Sequence, residues 1–219
     1  MCGRYSLGKP GEIDARRLGV VALPPLVPRW NIAPGSDVAV LRAAGAGREV
    51  AMLRWGLVPS WAKDPSIGDR LANARVETAH EKPSFRSAWK ARRCLVLADA
   101  YYEWQVVPGQ RAKQPWAIAR ADGDVLAFGA LWESWRGPDG APLETCAILT
   151  MDAQDAVAHI HARMPVIVEE TEWPRWLAPG PQPPAPGPQP PALASWPVST
   201  FVNAPTHDDA RCLEPLKES

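Results

Sequence analysis

The second residue of the chain, in Met1-Cys2-Gly3-Arg4, is a cysteine. A small residue after the initiator methionine permits removal of that methionine, which would leave Cys2 as the first residue. Cys2 would then carry a thiol and a free α-amine on adjacent carbons. Their reference pKa values, about 8.5 and about 7.7–8.0, mean that modest tuning makes either one a nucleophile near neutrality. A 1,2-aminothiol has a signature reaction with aldehydes. The amine adds to give a Schiff base, and the thiol then closes a five-membered thiazolidine ring. Taken alone, a cysteine at this position is more often incidental than catalytic, so the rest of the chain has to supply the groups that such chemistry needs.

Three further stretches carry groups of the right kind. Asn73-Ala74-Arg75-Val76-Glu77-Thr78 is unusually polar for a segment leading into Phe85 and Trp89. An amide and a guanidinium this close together suit the orientation of a nucleophile and the grip of a phosphate, although ordinary surface polarity at the start of a helix reads the same way. Glu103 lies in Ala100-Tyr101-Tyr102-Glu103-Trp104, an acid enclosed by aromatics. Desolvation there would raise its pKa toward that of a general acid/base; the equally weighted alternative is an outward-facing position on a half-buried strand. His159-Ile160-His161 places two imidazoles two residues apart, a spacing that faces different directions on a helix and does not suit a metal. If the helix ends near Ile160, His161 is free in a loop to move protons, against the default of a structural histidine.

These groups need a scaffold, and 219 residues are enough for one domain, 1–219, with a full hydrophobic core. Strand-like runs occur at 37–42, 50–58, 94–98, 116–120, 125–132 and 145–150, with β-branched content and Gly, Pro and Asp punctuation. Asp122-Gly123 and Asp139-Gly140 read as hairpin turns. Helices are expected over 12–18, over 152–159 with Asp152 as N-cap, and over 169–177. The expected fold class is therefore α+β, a single domain with an antiparallel, barrel-like β core and flanking short helices. Residues 178–194 contain PGPQPP twice and are expected to form a solvated loop inserted before a final strand, with a partner-docking motif as the alternative.

Composition narrows the function. The 24 basic and 24 acidic residues balance, which weakens any reading as a protein that coats duplex DNA. Eleven tryptophans are unusual for this length; most are expected in the core, but aromatic faces beside arginines can also stack bases. The four cysteines are widely spaced with no CxxC pair, so neither a disulfide framework nor a zinc site is expected; Cys94 and Cys146 read as buried thiols and Cys212 is unassigned. No apolar run approaches the ~18 residues of a membrane span and no signal peptide is evident, which points to the cytoplasm.

Taken in order, Cys2-Gly3-Arg4-Tyr5, Trp30-Asn31-Ile32-Ala33-Pro34-Gly35, Arg54-Trp55-Gly56-Leu57-Val58-Pro59-Ser60-Trp61, the Asn73–Thr78 hexad, Arg93-Cys94, Tyr102-Glu103-Trp104 and Ile160-His161-Ala162-Arg163-Met164-Pro165 resemble the SRAP family, the SOS response-associated peptidase proteins. The resemblance runs from residue 2 to about 168 and resumes at Trp196-Pro197-Val198-Ser199. It implies a sensor of abasic sites in single-stranded DNA, which traps the C1′ aldehyde of the ring-opened sugar as a thiazolidine on Cys2 after autocatalytic removal of Met1. It also implies lyase-type activity. By the same resemblance Asn73 positions the Cys2 end, Glu103 holds the amine and moves protons, and His161 protonates the sugar ring oxygen. Arg4 and Arg75 match positions that contact the DNA backbone, Trp61 matches an aromatic wall, and Asn31 and Thr150 are expected in the same pocket. No metal or other cofactor is implied, and the protein is expected to act as a monomer on single-stranded DNA, associated with the nucleoid when bound. Ala100 departs from the glycine common at that position. Two other readings stay open: a thiol peptidase acting on other proteins, and a non-covalent reader of single-stranded DNA in which Cys2 is incidental.

Overall fold

The computed structural model describes residues 2–138, 140–180 and 191–216. Its aliphatic and β-branched runs extend as strands: β1 (Tyr5–Leu7), β2 (Arg29–Ile32), β3 (Asp37–Ala44), β4 (Gly47–Trp55), β5 (Asn73–Arg75), β6 (Arg93–Ala98), β7 (Ala100–Gln105), β8 (Gln114–Arg120), β9 (Leu126–Arg136), β10 (Pro142–Asp152), β11 (Arg163–Pro165) and β12 (Leu193–Pro197). The helices are short: α1 (Ala15–Leu18), α2 (Arg86–Ala91), α3 (Asp155–Ala158) and α4 (Trp173–Leu177). No helix among the described residues is long and apolar enough to cross a membrane.

Five strands form a ring. β4, β3, β6, β9 and β10 are antiparallel neighbours in that order, and β10 then pairs β4 in parallel through Thr145↔Arg54 and Cys146↔Trp55. Closure of this kind removes free sheet edges. β10 is long enough to take further partners near its end, β5 in parallel and β11 antiparallel. The second sheet, in the order β12-β8-β7-β1-β2, is antiparallel throughout. The fold is α+β and mostly β, as expected.

Period-two alternation along β7 decides which groups reach the interface between sheet and barrel. Tyr101 turns toward the barrel, where its ring meets Phe128 edge-on at 6.0 Å, while Tyr102 turns to a smaller cluster with Ala117, Val198, Val202 and Cys212. Tyr5 of β1 sits beside Trp55 and Phe128 at 5.5 and 5.9 Å. Asp99, in the bend between β6 and β7, accepts hydrogen bonds from the backbone N–H groups of Gly8 at 2.5 Å and Lys9 at 2.9 Å. That contact ties the N-terminal arm to the point where the chain leaves the barrel for the sheet.

Some local expectations need correction. Asp122-Gly123 is a turn, with Gly123 at φ +77, but β8 and β9 belong to different sheets, so it is a crossing and not a hairpin. β9 and β10 do pair as neighbours, although Asp139 itself lies outside the described residues. Asp152 ends β10 instead of capping a helix, because pairing with Arg163 keeps it extended; α3 begins after Gln154. In the 12–18 segment only Ala15–Leu18 is α-helical, capped by Asp14, and a 3-10 turn covers Pro10–Glu12. Of the proline-rich segment, residues 181–190 lie outside the described residues. The part before them is anchored by the buried Arg93, which donates to the carbonyls of Trp89 and Trp176 at 2.8 Å, of Gly180 at 3.0 Å and of Ala178.

Candidate active site

Three parts of the fold converge on the N-terminal arm. Cys2 is fully buried just ahead of β1, with its Sγ 3.9 Å from the carbonyl oxygen of Arg4. Asn73 is the first residue of β5, a three-residue strand whose position is set by its parallel pairing to β10, Ile148↔Asn73. From there its Nδ2 donates to the Cys2 carbonyl at 2.9 Å. Glu103 lies on the barrel-facing side of β7, 3% exposed, directly across from Trp116 on β8. His161 follows α3 in a turn, and its Nδ1 lies 3.9 Å from Oε2 of Glu103.

The electrostatics follow from this burial. Desolvation pushes the Glu103 carboxyl up from 4.5 to about 7, opposed in part by nearby positive charge, Lys113 included. Burial, and after it the Glu103 charge, pushes the Cys2 thiol well above its ordinary range. Burial lowers His161 below its usual 6.5, opposed by a hydrogen bond to Arg163. The resting site therefore stores a neutral thiol, an imidazole that is mostly neutral at pH 7, and a carboxyl that titrates near neutrality. The Nδ1 of His161 sits 3.0 Å from the N–H and 3.1 Å from the C=O of Arg163, so either tautomer finds a partner.

The residues expected to contact a ligand fall into two groups. Arg75 is exposed on β5 and, with Asn73, Thr78, Lys82 and Phe85, lines an open groove of ≈ 490 Å³. Trp61, 58% exposed, lines a neighbouring groove with Lys63, Ser66 and Arg70, and its indole N–H donates to the Pro83 carbonyl at 3.4 Å. The loop bearing Trp61 is pinned where Gly56 meets Gly68 backbone to backbone. A Cβ on either glycine would approach the other's carbonyl oxygen to 2.8 or 2.6 Å. Thr150 is fully buried on β10 beside Arg75, with its hydroxyl 3.4 Å from the Ala74 carbonyl, so it supports the groove from beneath.

Arg4 and Asn31 are placed elsewhere. Asn31 is 1% exposed, and its amide donates to the carbonyls of Val202, Ala204 and His207 at 2.8–3.0 Å while accepting from Arg4 at 2.9 Å. Arg4 also donates to Val202 at 3.0 Å and Asn203 at 3.3 Å. Both side chains clamp the segment after β12 onto the sheet. Asp208 reinforces the clamp, accepting from the backbone N–H of Asn31 at 2.9 Å and pairing with Arg29.

Two residues of the site surroundings carried no separate signal in the sequence. Arg163 grips Glu77 with two parallel hydrogen bonds at 2.8 and 2.9 Å, and also Asp152 at 2.5 Å, joining the segment after β5 to the His161 turn. Gln105 joins β7 to that same turn. A polar residue beside each site motif was the available hint. Among the described residues no group of three or more His, Cys, Asp or Glu side chains is arranged to hold a metal ion.

In this mostly-β domain, buried Cys2 thus has the Asn73 amide on its carbonyl and the Glu103 carboxyl close enough to raise its thiol, with the His161 imidazole 3.9 Å from Glu103. The chain belongs to the SOS response associated peptidase (SRAP) family, whose family model matches residues 1–205. It is 34% identical over 223 residues to the abasic site processing protein YoqW of Bacillus subtilis, covering 98% of this chain and 99% of that one. It is 36% identical over 226 residues to the abasic site processing protein HMCES of Gallus gallus, covering 87% and 67%. Among solved structures, a Bordetella bronchiseptica protein superposes with a TM-score of 0.73 at 27% identity, covering 90% of this chain and 100% of that one. A Bacteroides thetaiotaomicron protein gives a TM-score of 0.81 at 21% identity over 99% and 100%, a likeness of fold alone.

Proposed function

We propose that this protein processes abasic sites in single-stranded DNA by capturing them covalently on Cys2. The observation that carries the reading is the gathering around buried Cys2 of Asn73, bonded to its carbonyl, and Glu103, whose charge raises its thiol, with half-buried His161 3.9 Å from Glu103. Hydrolysis of the Met1–Cys2 peptide bond by the protein itself consumes one water and frees the α-amine. The amine adds to the C1′ aldehyde of the opened sugar, water leaves to give the imine, and the thiol adds across the C=N bond. The product is a thiazolidine, and the capture step releases one water overall.

Each residue has a place in this sequence. Asn73 fixes the Cys2 carbonyl, which orients the amine and thiol on the same residue. Glu103, at about 7, can take a proton from the incoming ammonium and return it to the departing hydroxyl at neutral pH. Because burial raises Glu103 and lowers His161, the proton needed to open the sugar ring resides largely on Glu103, and His161 relays it. Arg75 and Lys82 hold phosphates in the groove beside Asn73, and Trp61 offers a face for an unstacked base.

The raised thiol favours this reading over a peptidase acting on other proteins. Thiol peptidases depend on a lowered pKa that maintains a thiolate, whereas a thiol that closes a ring onto an imine need not be ionised beforehand. The test is incubation with an abasic single-stranded oligonucleotide followed by denaturing electrophoresis. A heat-stable adduct is expected with wild type and none with Cys2→Ala; equal adduct from both, or none from wild type, refutes the proposal.

A further inference from the structure

Glu103 and His161 come from distant parts of the chain, one on β7 and one in the turn after α3. The hydrogen bonds that shape the turn are largely its own: Ile160 N–H to Val157 at 2.9 Å, His161 N–H to Val157 at 3.3 Å, and Ala153 N–H to Ala162 at 2.9 Å. They hold the turn to α3 and to the end of β10, not to β7. Gln105 supplies a link to β7. It lies two residues beyond Glu103, on the same face of the strand, and its Nε2 donates to the backbone carbonyl of His159 at 3.0 Å. Its Oε1 accepts from the indole N–H of Trp116 at 3.0 Å. Trp116 also stands edge-on to the His159 ring, with centroids 5.7 Å apart and planes at 87°.

We propose that Gln105, held by Trp116, is a positioning residue that sets the distance between His161 and Glu103. The inference rests on the reading of those two residues as the proton-transfer pair. The amide is locked by its partners. A carbonyl can only accept and an indole N–H can only donate, so a flipped amide would face two like groups and lose both bonds. The clamp therefore fixes the turn two residues before His161, measured from the strand that carries Glu103. A separation of 3.9 Å is longer than a hydrogen bond, so small movements of the turn decide whether a proton passes. His159, which has no role in the proposed chemistry, thus serves through its carbonyl and its ring.

The test is the rate of covalent adduct formation with an abasic single-stranded oligonucleotide, for Gln105→Ala, His161→Ala and the double variant. Misplacement of a catalytic group by about 1 Å can cost on the order of 10²-fold, so a partial release of the turn should slow Gln105→Ala on the order of tenfold. In the His161→Ala background the same substitution should have no further effect, because the group it positions is gone. A general loss of structure would not be masked in this way. Trp116→Phe keeps a ring against His159 but removes the indole donor, so it should slow the reaction in the same His161-dependent manner even if Gln105→Ala fails to fold. Wild-type rates in these variants, or equal slowing with and without His161, overturn the inference while leaving the capture reaction intact. No adduct from the wild-type chain overturns both.

Discussion

Replacing Glu103 by glutamine should make the protein's stability less dependent on pH, and the structure gives the size of the effect. A carboxyl moved from 4.5 to about 7 by burial binds its proton more tightly in the folded chain than in the unfolded one. Its contribution to stability is therefore complete below pH 4.5 and is lost as pH rises through 7. With ~1.36 kcal/mol per pKa unit the full loss is about 3 kcal/mol, of which about 2.5 kcal/mol falls between pH 5 and pH 8. Glutamine cannot ionise, so Glu103→Gln should not show that part of the decline. Urea denaturation of both chains at pH 5 and pH 8 measures it. The constant effect of an amide in place of an acid cancels in the difference between the two pH values, as do titrating groups that do not interact with Glu103. The expected outcome is a gain of about 2.5 kcal/mol for the variant relative to wild type on going from pH 5 to pH 8, together with loss of adduct formation. Parallel pH dependence in the two chains would refute the claim that Glu103 is desolvated in the folded state. The protein would on this account keep a costly buried acid because the reaction needs one that titrates near neutrality.

Further outcomes follow from other parts of the site. Cys2→Ser should yield at most a labile adduct on denaturing gels, because an oxygen ring-closure product reverses more readily than a thiazolidine; a wild-type yield of heat-stable product would contradict it. Asn31→Ala removes three hydrogen bonds to the segment after β12, and at about 1 kcal/mol net per bond it should cost about 3 kcal/mol, a fall of roughly 10 °C in Tm by calorimetry. A change in DNA affinity without that loss of stability would show Asn31 to be a ligand contact instead. Arg75→Ala should reduce the slope of log K against log salt for single-stranded DNA by about 0.7, the share of one phosphate contact; an unchanged slope would remove Arg75 from the interface.

The longer strands were legible because each carries enough buried aliphatic residues to show a pattern. β3, β4, β6, β9 and β10 all overlap the runs read from the sequence. A barrel-like core was expected, but the parallel pairing of β10 with β4 that closes the ring was not legible, since it is a long-range register that no local pattern encodes. β5 and β11 are three residues each, too short for periodicity, and exist because β10 offers them an edge. The hairpin expected at Asp122-Gly123 failed for a related reason: turn chemistry specifies the bend but not which sheet receives the next strand. Within the site, Cys2 stood out by its position and Glu103 by its aromatic neighbours, and the structure buries both. Asn73 and His161 stood out mainly through the family resemblance. Arg4 and Asn31 share motifs with site residues, yet their side chains satisfy carbonyls of a segment far along the chain, a demand that appears only once that segment is docked. Gln105 and Arg163 act through backbone and side-chain partners that only the tertiary fold supplies.

The central claim, capture of an aldehyde by the aminothiol of Cys2, is tested most directly by the intact mass of the protein after incubation with an abasic single-stranded oligonucleotide. After heating without reductant, the expected species equals the chain without Met1 plus the oligonucleotide less one water, and it is absent with Cys2→Ala, whose imine has the same mass increment but hydrolyses. A covalent adduct that retains Met1, or a heat-stable one of the same mass increment formed by Cys2→Ala, would contradict the claim.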